Sequence, residues 1–309
     1  MSKIGIKAVS LRNILTPMNL KREILLFDKL YIDELIYKAV SNYANSLLAD
    51  SRLAPLKSHL DFNIQNIEYL FNEGLIEPIK KSSPRTLLNP TEDEKRIFFS
   101  LQKYYDIVAE IGDFKRSFSN DKIEKTFEYF SDYPDANTRV DALVFSKTNL
   151  NDTCVPLITS TLPFTEGKES VFRFILSNIP EPSNSVPWEK ILEFKKDTDT
   201  QRKYYALMNW INEISKSNLS AQEIEDRFWY LHSEYSNQYK LHKLEFQMSA
   251  VEILFTTTAE IISNFEMPNL GSLIKPFYKL RKEKLLLAKA ETSFVGRELA
   301  YIFKASQEF

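Results

Sequence analysis

Apolar and polar positions alternate along the first part of the chain in a way that predicts both strands and helices. The apolar run within EILLFDKLYID, at 23–33, predicts a buried strand near Leu26 that leads into a turn. NIEYLFNEGLIEP has apolar residues at helical spacing, and Gly74 follows them where a left-handed cap would end a helix. Thr91 and Glu94 have the spacing of a capping box, which predicts the start of another helix.

After Asp135 the pattern changes to short β-branched or aromatic runs that polar stretches separate. RVDALVFS at 139–146, TCVPLITS at 153–160 and SVFRFILS at 170–177 each predict a strand. Together with the strand near Leu26, they predict a small sheet flanked by helices. The sequence leaves the order of these strands open.

The proline-rich segment NIPEPSNSVP, at 178–187, is the best candidate for a boundary between two parts of the chain. It separates an N-terminal mixed α/β part, 1–182, from a mostly helical C-terminal part, 183–309. The predicted fold class is therefore α+β and helix-dominated, with the small sheet in the N-terminal part and one long helix in the C-terminal part.

A long helix is predicted because no proline or glycine occurs between Ser220 and Pro268. Ser220 and Glu223 form a capping box at its start. Counted from Ala221 to Asn264, this helix would be about 66 Å long at 1.5 Å per residue. That is longer than a compact domain usually needs.

Two apolar stripes follow the long helix on roughly opposite sides. The first consists of Ile224, Phe228, Leu231, Tyr235, Tyr239, Phe246 and Ile253. The second stripe occupies the two core positions of a seven-residue repeat and consists of Leu241, Leu244, Met248, Val251, Phe255 and Ile262. Thr258 occupies the one core position that is not apolar. A helix that is apolar on two sides must be covered twice, either by its own domain or by another chain. The second stripe is therefore a candidate interface with a partner or with a second copy.

Composition narrows the classes of function. The 309-residue chain has 40 basic and 42 acidic side chains and a formal net charge of -2, so no global charge attracts nucleic acid or a membrane. The six glycines are scattered, which argues against phosphate-cradling loops and dinucleotides, and no cofactor is expected. Because Cys154 is the single cysteine and no apolar run is long enough to span a bilayer, a cytoplasmic location without a membrane span is expected.

The stretch RFWYLH, at 227–232, has an arginine and a histidine with four residues between them. This spacing resembles the motif of the HEPN ribonucleases, small helical enzymes that build their site across a dimer. The resemblance implies that Arg227 and His232 are catalytic. Phe228 departs from the motif, which usually has a polar residue after the arginine. Five residues rotate a helix by about 140°, so the two side chains flank the first apolar stripe and would need a second subunit to converge.

Other polar residues favour structural roles. His242 lies on the first apolar stripe, as a hydrogen-bonded core residue would, and no His or Cys pair has the spacing of a metal site. Asp197 and Asp199, in KKDTDTQRK, resemble a paired acidic motif but favour a capped, solvated turn between helices. Asp28, at the end of the predicted strand, has a position where α/β folds often place functional acids.

A basic stripe is predicted on a helix in SLIKPFYKLRKEKLLLAKAE. One face of this helix carries the lysines Lys275, Lys279, Lys282 and Lys289. Such a stripe is found on phosphate-facing or membrane-surface helices, but a solvated helix face is the preferred interpretation.

Four short segments, FDKLYID, NIEYLFNEGLIEP, VPWEKILEFKKD and GRELAYIFKASQEF, resemble segments of uncharacterised bacterial proteins. These proteins are associated with variable gene neighbourhoods that include defence against phage. The resemblance implies a bacterial cytoplasmic origin and a role connected with defence. None of the four segments is a chemical motif, so the resemblance implies no catalytic residue.

Three functions are compatible with these patterns. The first is a non-enzymatic interaction protein that assembles with itself or with another protein of the same system through its C-terminal helices. The second is a dimeric HEPN-like ribonuclease, and the third is a nucleic-acid-binding module that uses the basic stripe. The first is preferred because the long helix has a two-sided apolar surface, whereas no catalytic set converges in the sequence.

Overall fold

The structure, a computed structural model, describes residues 3–7, 19–33, 57–79, 91, 92, 95, 135–148, 153–157, 168–217, 219–263, 286 and 289–309. These residues form an α+β, helix-dominated protein in which helices account for 70% of the described part, as predicted. A small parallel sheet lies near the N-terminus. The chain divides into two compact units, Met1–Ile191 and Leu192–Phe309.

The sheet of the first unit has four parallel strands in the order β3-β2-β1-β4. They are β1 (Lys3–Lys7), β2 (Lys29–Asp33), β3 (Ile76–Ile79) and β4 (Thr153–Leu157). Ile6 at the centre of the sheet is in register with Tyr31 of β2 and Pro156 of β4. The strand predicted in TCVPLITS is confirmed, since it contains β4.

In the described part of the first unit, the helices before the proline-rich segment are α1 (Lys21–Leu26), α2 (Lys57–Asn72), α3 (135–148) and α4 (Lys168–Asn178). The helix predicted before Gly74 is confirmed, because α2 ends there and Gly74 has a φ of 69°. On one face of the sheet, Ala142 of α3 packs in a cluster with Ile6 and Ile79.

Three of the strand predictions are wrong, because each of these short apolar runs belongs to a helix. Leu26 ends α1, in which Ile24, Leu25 and Leu26 are each 0% exposed. RVDALVFS lies in α3, where every residue of 135–142 is buried, and SVFRFILS lies in α4. A short apolar run of this kind cannot be distinguished from a buried strand by its periodicity.

Asp28 precedes β2 instead of following a strand, which corrects its predicted position. Its carboxylate accepts a hydrogen bond of 2.8 Å from the backbone N–H of Lys3, and its own N–H donates to the carbonyl of Lys3. Asp28 therefore joins the amino ends of β1 and β2. This is the edge opposite to the one where parallel sheets place functional acids.

The segment that the sequence marks as a boundary packs within the first unit. The ammonium group of Lys21 donates to the carbonyls of Ser183 at 2.9 Å and Asn184 at 3.0 Å. The side-chain amide of Asn19 donates to the carbonyl of Pro182 at 2.6 Å. Burial lowers the pKa of Lys21, whose partners here are uncharged carbonyls. The division into domains 1–182 and 183–309 stays a prediction.

The helices of the C-terminal part are α5 (Trp188–Lys196), which begins in the first unit, α6 (Thr198–Ile214), α7 (Ala221–Ser263) and α8 (Ala300–Glu308). The predicted capping box of α7 is confirmed. Ser220 Oγ accepts from the N–H of Glu223 at 3.3 Å, and Glu223 Oε2 accepts from the N–H of Ser220 at 2.7 Å. α7 has 43 residues and is therefore about 65 Å long.

Two predicted helices lie mostly outside the described residues. They are the helix that begins near Thr91 and the one that carries Lys275, Lys279 and Lys282. Lys289, the last lysine of the basic stripe, is described and exposed. Among the helices that the structure describes, none is both long and apolar enough to cross a bilayer.

Candidate functional site

The first apolar stripe of α7 packs inside the second unit. Phe228 and Tyr235 are each 1% exposed. The ring of Phe228 lies 6.2 Å from that of Trp210 in α6, and the ring of Tyr235 lies 5.8 Å from Phe294 and 5.3 Å from Phe303. Aromatic pairs at these separations stabilise a core beyond the area they bury. This side of α7 is thus covered by its own chain.

The second apolar stripe begins on the solvent side of α7. Leu241 is 62% exposed and Leu244 is 56% exposed. Between them, His242 stacks on Phe294 with ring centroids 5.0 Å apart, so the other side of the helix is covered at the same level. The helix backbone continues to Ser263, but the description of side chains does not extend to Met248, Val251, Phe255 and Ile262.

The structure does not bring Arg227 and His232 together within one chain. The side chain of Arg227 is exposed, whereas His232 is half-buried among aromatic rings. The His232 ring lies 5.9 Å from Phe228, on which it stacks, and 6.5 Å from Phe303. Burial, and then the positive charge of Lys240, lowers the pKa of His232 below its usual 6.5. The imidazole is therefore neutral at pH 7, and any convergence with Arg227 requires a second chain.

Asp197 and Asp199 belong to an ion network. Asp197 caps α6, because its Oδ2 accepts from the N–H of Thr200 at 2.9 Å and from the Thr200 hydroxyl at 2.8 Å. Lys304 Nζ in α8 lies 2.6 Å from Asp197 Oδ2 and 3.0 Å from Asp199 Oδ2. The hydrogen bonds from Lys304 and Thr200 lower the pKa of Asp197 to about 2. The predicted capped turn is confirmed.

A second lysine extends this network. Burial alone would raise the pKa of Asp199, but the ammonium groups of Lys304 and Lys203 lower it to about 2. Lys203 is buried and also binds Glu291 Oε2 at 2.7 Å. Since both aspartates are ionised at neutral pH and bound by lysines, they hold α6 to α8 and are poor proton donors.

A different candidate lies in the first unit, at the carboxyl edge of the sheet. Along the chain, β2 and β3 are added on one side of β1, whereas β4 is added on the other side. The strand order therefore changes direction between β1 and β4. In open parallel sheets, ligands bind beyond the carboxyl ends of the strands at such a switch point. Lys7 and Leu157 are the last residues of the two strands there.

A buried ion pair lies at this edge. Lys7 Nζ is 2.5 Å from Glu23 Oε1 of α1, and the side chains are 14% and 3% exposed. Within the part of the chain that the structure describes, no donor bonds the other carboxylate oxygen, Glu23 Oε2. Half of this carboxylate is thus buried and unsatisfied.

Polar side chains are also buried at the start of α3. Asn137 is 5% exposed and Asp141 is 2% exposed, and the Asn137 side-chain amide donates to Asp141 Oδ2 at 2.8 Å. Asn137 Oδ1 has no hydrogen-bond partner among the described residues. Native proteins leave few buried polar groups without a partner, so each of these atoms needs a physical explanation.

Sequence reasoning missed this edge because it recognised neither β1 nor α3. β1 is short and has a lysine at each end, so it lacks the pattern of a buried strand. A cue to α3 was present, since Ala136, Val140 and Val144 recur every four residues and are all buried. The polar residues between them hid this spacing.

Comparisons with known proteins assign no role to these residues. No family model, curated protein or solved structure matches the chain. Among the residues that the structure describes, no group of three or more His, Cys, Asp or Glu side chains is placed to hold a metal ion. Two features of the chain itself remain as candidate sites, the exposed side of α7 and the carboxyl edge of the sheet.

Proposed function

We propose that this protein is a non-enzymatic assembly protein that pairs with a second copy of itself along α7. The contact is the α7 seam, defined as Leu241, Leu244, Met248, Val251, Phe255 and Ile262. The observation that carries the proposal is the exposure of Leu241, 62%, and Leu244, 56%, on a helix whose other side is already covered. Removing apolar surface from water is favourable by about 25 cal/mol per Å². An association that buries these two leucines is therefore stabilised.

The spacing of the seam favours another α-helix as its occupant. Leu241, Met248, Phe255 and Ile262 recur every seven residues, and Leu244 and Val251 lie between them. This is the pattern by which two helices supercoil with side chains packed into holes of the partner. A second copy supplies an identical seam, so one two-fold contact covers both.

The charges beside the seam favour a parallel pair. Each heptad has two core positions, here Leu241 and Leu244. In a parallel coiled coil, the residue just before the first core position of one helix lies opposite the residue just after the second core position of its partner. These positions are Lys240 and Glu245, so the two copies form two pairs of opposite charge. An antiparallel pair would bring Glu252 of the two copies to the same side and give Lys240 no acidic partner.

The cellular role of the assembly is proposed from the four segments that resemble segments of bacterial proteins. We infer a bacterial cytoplasmic protein whose assembly serves defence against phage. A single cysteine, Cys154, agrees with a reducing compartment. Loss of protection against phage in cells that carry a seam variant at normal protein level would support this setting, whereas full protection would contradict it.

The mass of the protein in solution tests the assembly. Sedimentation over a range of concentrations is expected to show a dimer for the natural chain and a monomer for the double variant Leu241→Glu/Leu244→Glu. The control is Tyr205→Glu, which changes a side chain of similar exposure, 64%, in α6 and is expected to leave the dimer intact. Unchanged circular dichroism would show that both variants are folded. A monomeric natural chain, or a dimer that survives the double substitution, would refute the proposal.

The ribonuclease alternative needs the same pairing, because Arg227 and His232 do not meet within one chain. RNA cleavage that His232→Ala abolishes without dissolving the dimer would favour it. The nucleic-acid alternative, through Lys275, Lys279, Lys282 and Lys289, predicts retention of RNA or DNA that weakens steeply as salt is raised.

A further inference from the structure

A loop of the second unit, 294–297, lies along one edge of α7. The N–H of Val295 donates to Gln238 Oε1 at 3.2 Å. Gly296, the next residue, lies directly against the backbone of Leu231, two turns earlier in α7. The 294–297 loop thus follows α7 from the level of Gln238 to the level of Leu231.

This edge of α7 is one edge of the seam. Leu231 and Gln238 precede Glu245 by two and by one seven-residue repeat, and seven residues return a helix to nearly the same side. Like Glu245, each follows the second core position of its heptad. Within each chain, the 294–297 loop therefore occupies the edge of the seam to which Glu245 belongs.

The other edge of the seam is exposed. Asp226, Ser233 and Lys240 recur every seven residues, each just before the first core position of a heptad, and all three are exposed. In a parallel pair, each of them faces the residue five positions later in the partner. The exposed edge of each copy therefore faces the edge of the other copy that carries the 294–297 loop.

We infer that the 294–297 loop is a second element of the dimer contact and packs on the exposed edge of the partner's α7. The inference rests on the proposed parallel pairing along the α7 seam. Val295, at the level of Gln238, faces the partner's Ser233. Tyr230 is one turn from Ser233 on the same side of α7. The contact therefore covers two further exposed side chains, Val295 at 44% and Tyr230 at 59%.

The core positions at this level show why the loop is needed. The two that precede Leu241 are Glu234 and Asn237, which are polar and cannot continue an apolar seam between two helices. Apolar contact between the copies therefore passes here from the core positions to Val295 and Tyr230.

Side-chain size and charge on the partner's edge suit the loop. Ser233 is small, so it leaves room for the Val295 side chain. Arg297, the last residue of the loop, is exposed and follows Gly296. The partner residue that faces the level of Gly296 is Asp226, so the two copies bring an arginine and a carboxylate together.

Disulfide cross-linking tests this contact. All variants carry Cys154→Ala, which removes the single natural cysteine. Chains with Ser233→Cys are mixed with chains with Val295→Cys, allowed to exchange subunits and oxidised mildly, and a non-reducing gel measures the covalent dimers. We expect the mixture to cross-link and each variant alone to remain largely uncross-linked, because the contact joins different residues of the two copies.

Lys243→Cys is the matched control for Ser233→Cys. Lys243 is also exposed, but it lies two positions after Leu241, on the side of α7 that faces away from the partner. Its mixture with Val295→Cys is expected not to cross-link. Equal cross-linking by Lys243→Cys and Ser233→Cys would show collisions only and would overturn the inference.

The dissociation constant gives a second measurement. Val295→Glu is expected to raise the Kd of the dimer about tenfold in sedimentation, because it places a carboxylate against the partner's edge beside Asp226. Val295→Ile, which keeps an apolar side chain, is expected to leave the Kd unchanged. Circular dichroism shows whether each variant is folded.

A natural chain that dimerises, with no cross-link in the mixture of Ser233→Cys and Val295→Cys, would overturn this inference and leave the α7 seam as the only contact. The same conclusion would follow if folded Val295→Glu had the Kd of the natural chain. A monomeric natural chain would overturn the assembly proposal together with this inference, so the two failures are distinguishable.

Discussion

At Gly296 the backbone has a φ of 82°, a left-handed conformation that glycine adopts without strain. A Cβ atom added there would lie 2.0 Å from the carbonyl oxygen of Leu231 in α7. The N–H of the neighbouring Val295 donates to Gln238 Oε1 of the same helix at 3.2 Å. The loop before α8 therefore lies directly against α7, and no side chain fits between them.

Replacing Gly296 by alanine is expected to lower the free energy of unfolding of the second unit by more than about 3 kcal/mol, because φ strain and a backbone clash combine. Gly74→Ala is the control. Gly74 has a similar φ of 69° but nothing within 4 Å of an added Cβ, so a loss of about 1 kcal/mol is expected. Chemical denaturation followed by circular dichroism measures both. Equal losses would show that the contact with Leu231 is unimportant.

Residues whose partners are close in sequence were predictable, and those with distant partners were not. Ser220 with Glu223, and Asp197 as a cap, follow from local spacing alone. Lys304, which binds Asp197 from more than a hundred positions away, has no such cue. The same holds for Lys7 and Glu23, because their contact depends on the path of the chain around the sheet.

Among the elements, periodicity predicted the long helices with exposed polar positions and failed for the short apolar runs of α1, α3 and α4. α6 and α7 each alternate buried and exposed positions, whereas every residue of 135–142 in α3 is buried. The parallel order of the strands was not predictable either. It depends on pairing between strands that lie far apart in the sequence, such as β1 and β4, and no local pattern encodes this pairing.

The link between α6 and α8 is expected to weaken in acid. Lys304 and the groups around it lower the pKa of Asp197 and Asp199 from 3.8 to about 2. Because the folded values are depressed, the stabilisation is complete above pH 3.8 and is lost as pH falls through about 2. Lys304→Met is therefore expected to lower the free energy of unfolding at about pH 5 and to have little effect at pH 2.

The expected difference at pH 5 is about 1 kcal/mol, since exposed ion pairs are screened by solvent. Asp197 and Asp199 are 50% and 40% exposed. Urea unfolding at the two pH values measures the difference. Lys216→Met, which removes another lysine of the second unit, should behave like the natural chain at both. A loss that is the same at both pH values would mean that Lys304 acts by packing and not by charge.

At the scale of the whole molecule, the chain consists of two compact units, Met1–Ile191 and Leu192–Phe309. Each has its own core, with Ile6 and Ile79 in the first and Tyr235 and Phe294 in the second. Units with separate cores can unfold in separate cooperative steps.

Differential scanning calorimetry is therefore expected to resolve two transitions. Gly74→Ala should lower the midpoint of one transition, and Lys304→Met should lower the midpoint of the other, because the two residues belong to different units. Each shift should be a few degrees for about 1 kcal/mol. A single transition that both substitutions shift would show that the units unfold together.

The three tryptophans give the protein its own spectroscopic probes. Trp188 is 8% exposed, and its indole N–H donates to Asn66 at 2.8 Å in the first unit. In the second unit, Trp210 is 2% exposed, whereas Trp229 on α7 is 48% exposed. Iodide should therefore quench the fluorescence of Trp229 selectively, while Trp188 and Trp210 emit at shorter wavelengths. With single-tryptophan variants, optical measurements without an attached dye can follow the two halves of the chain separately.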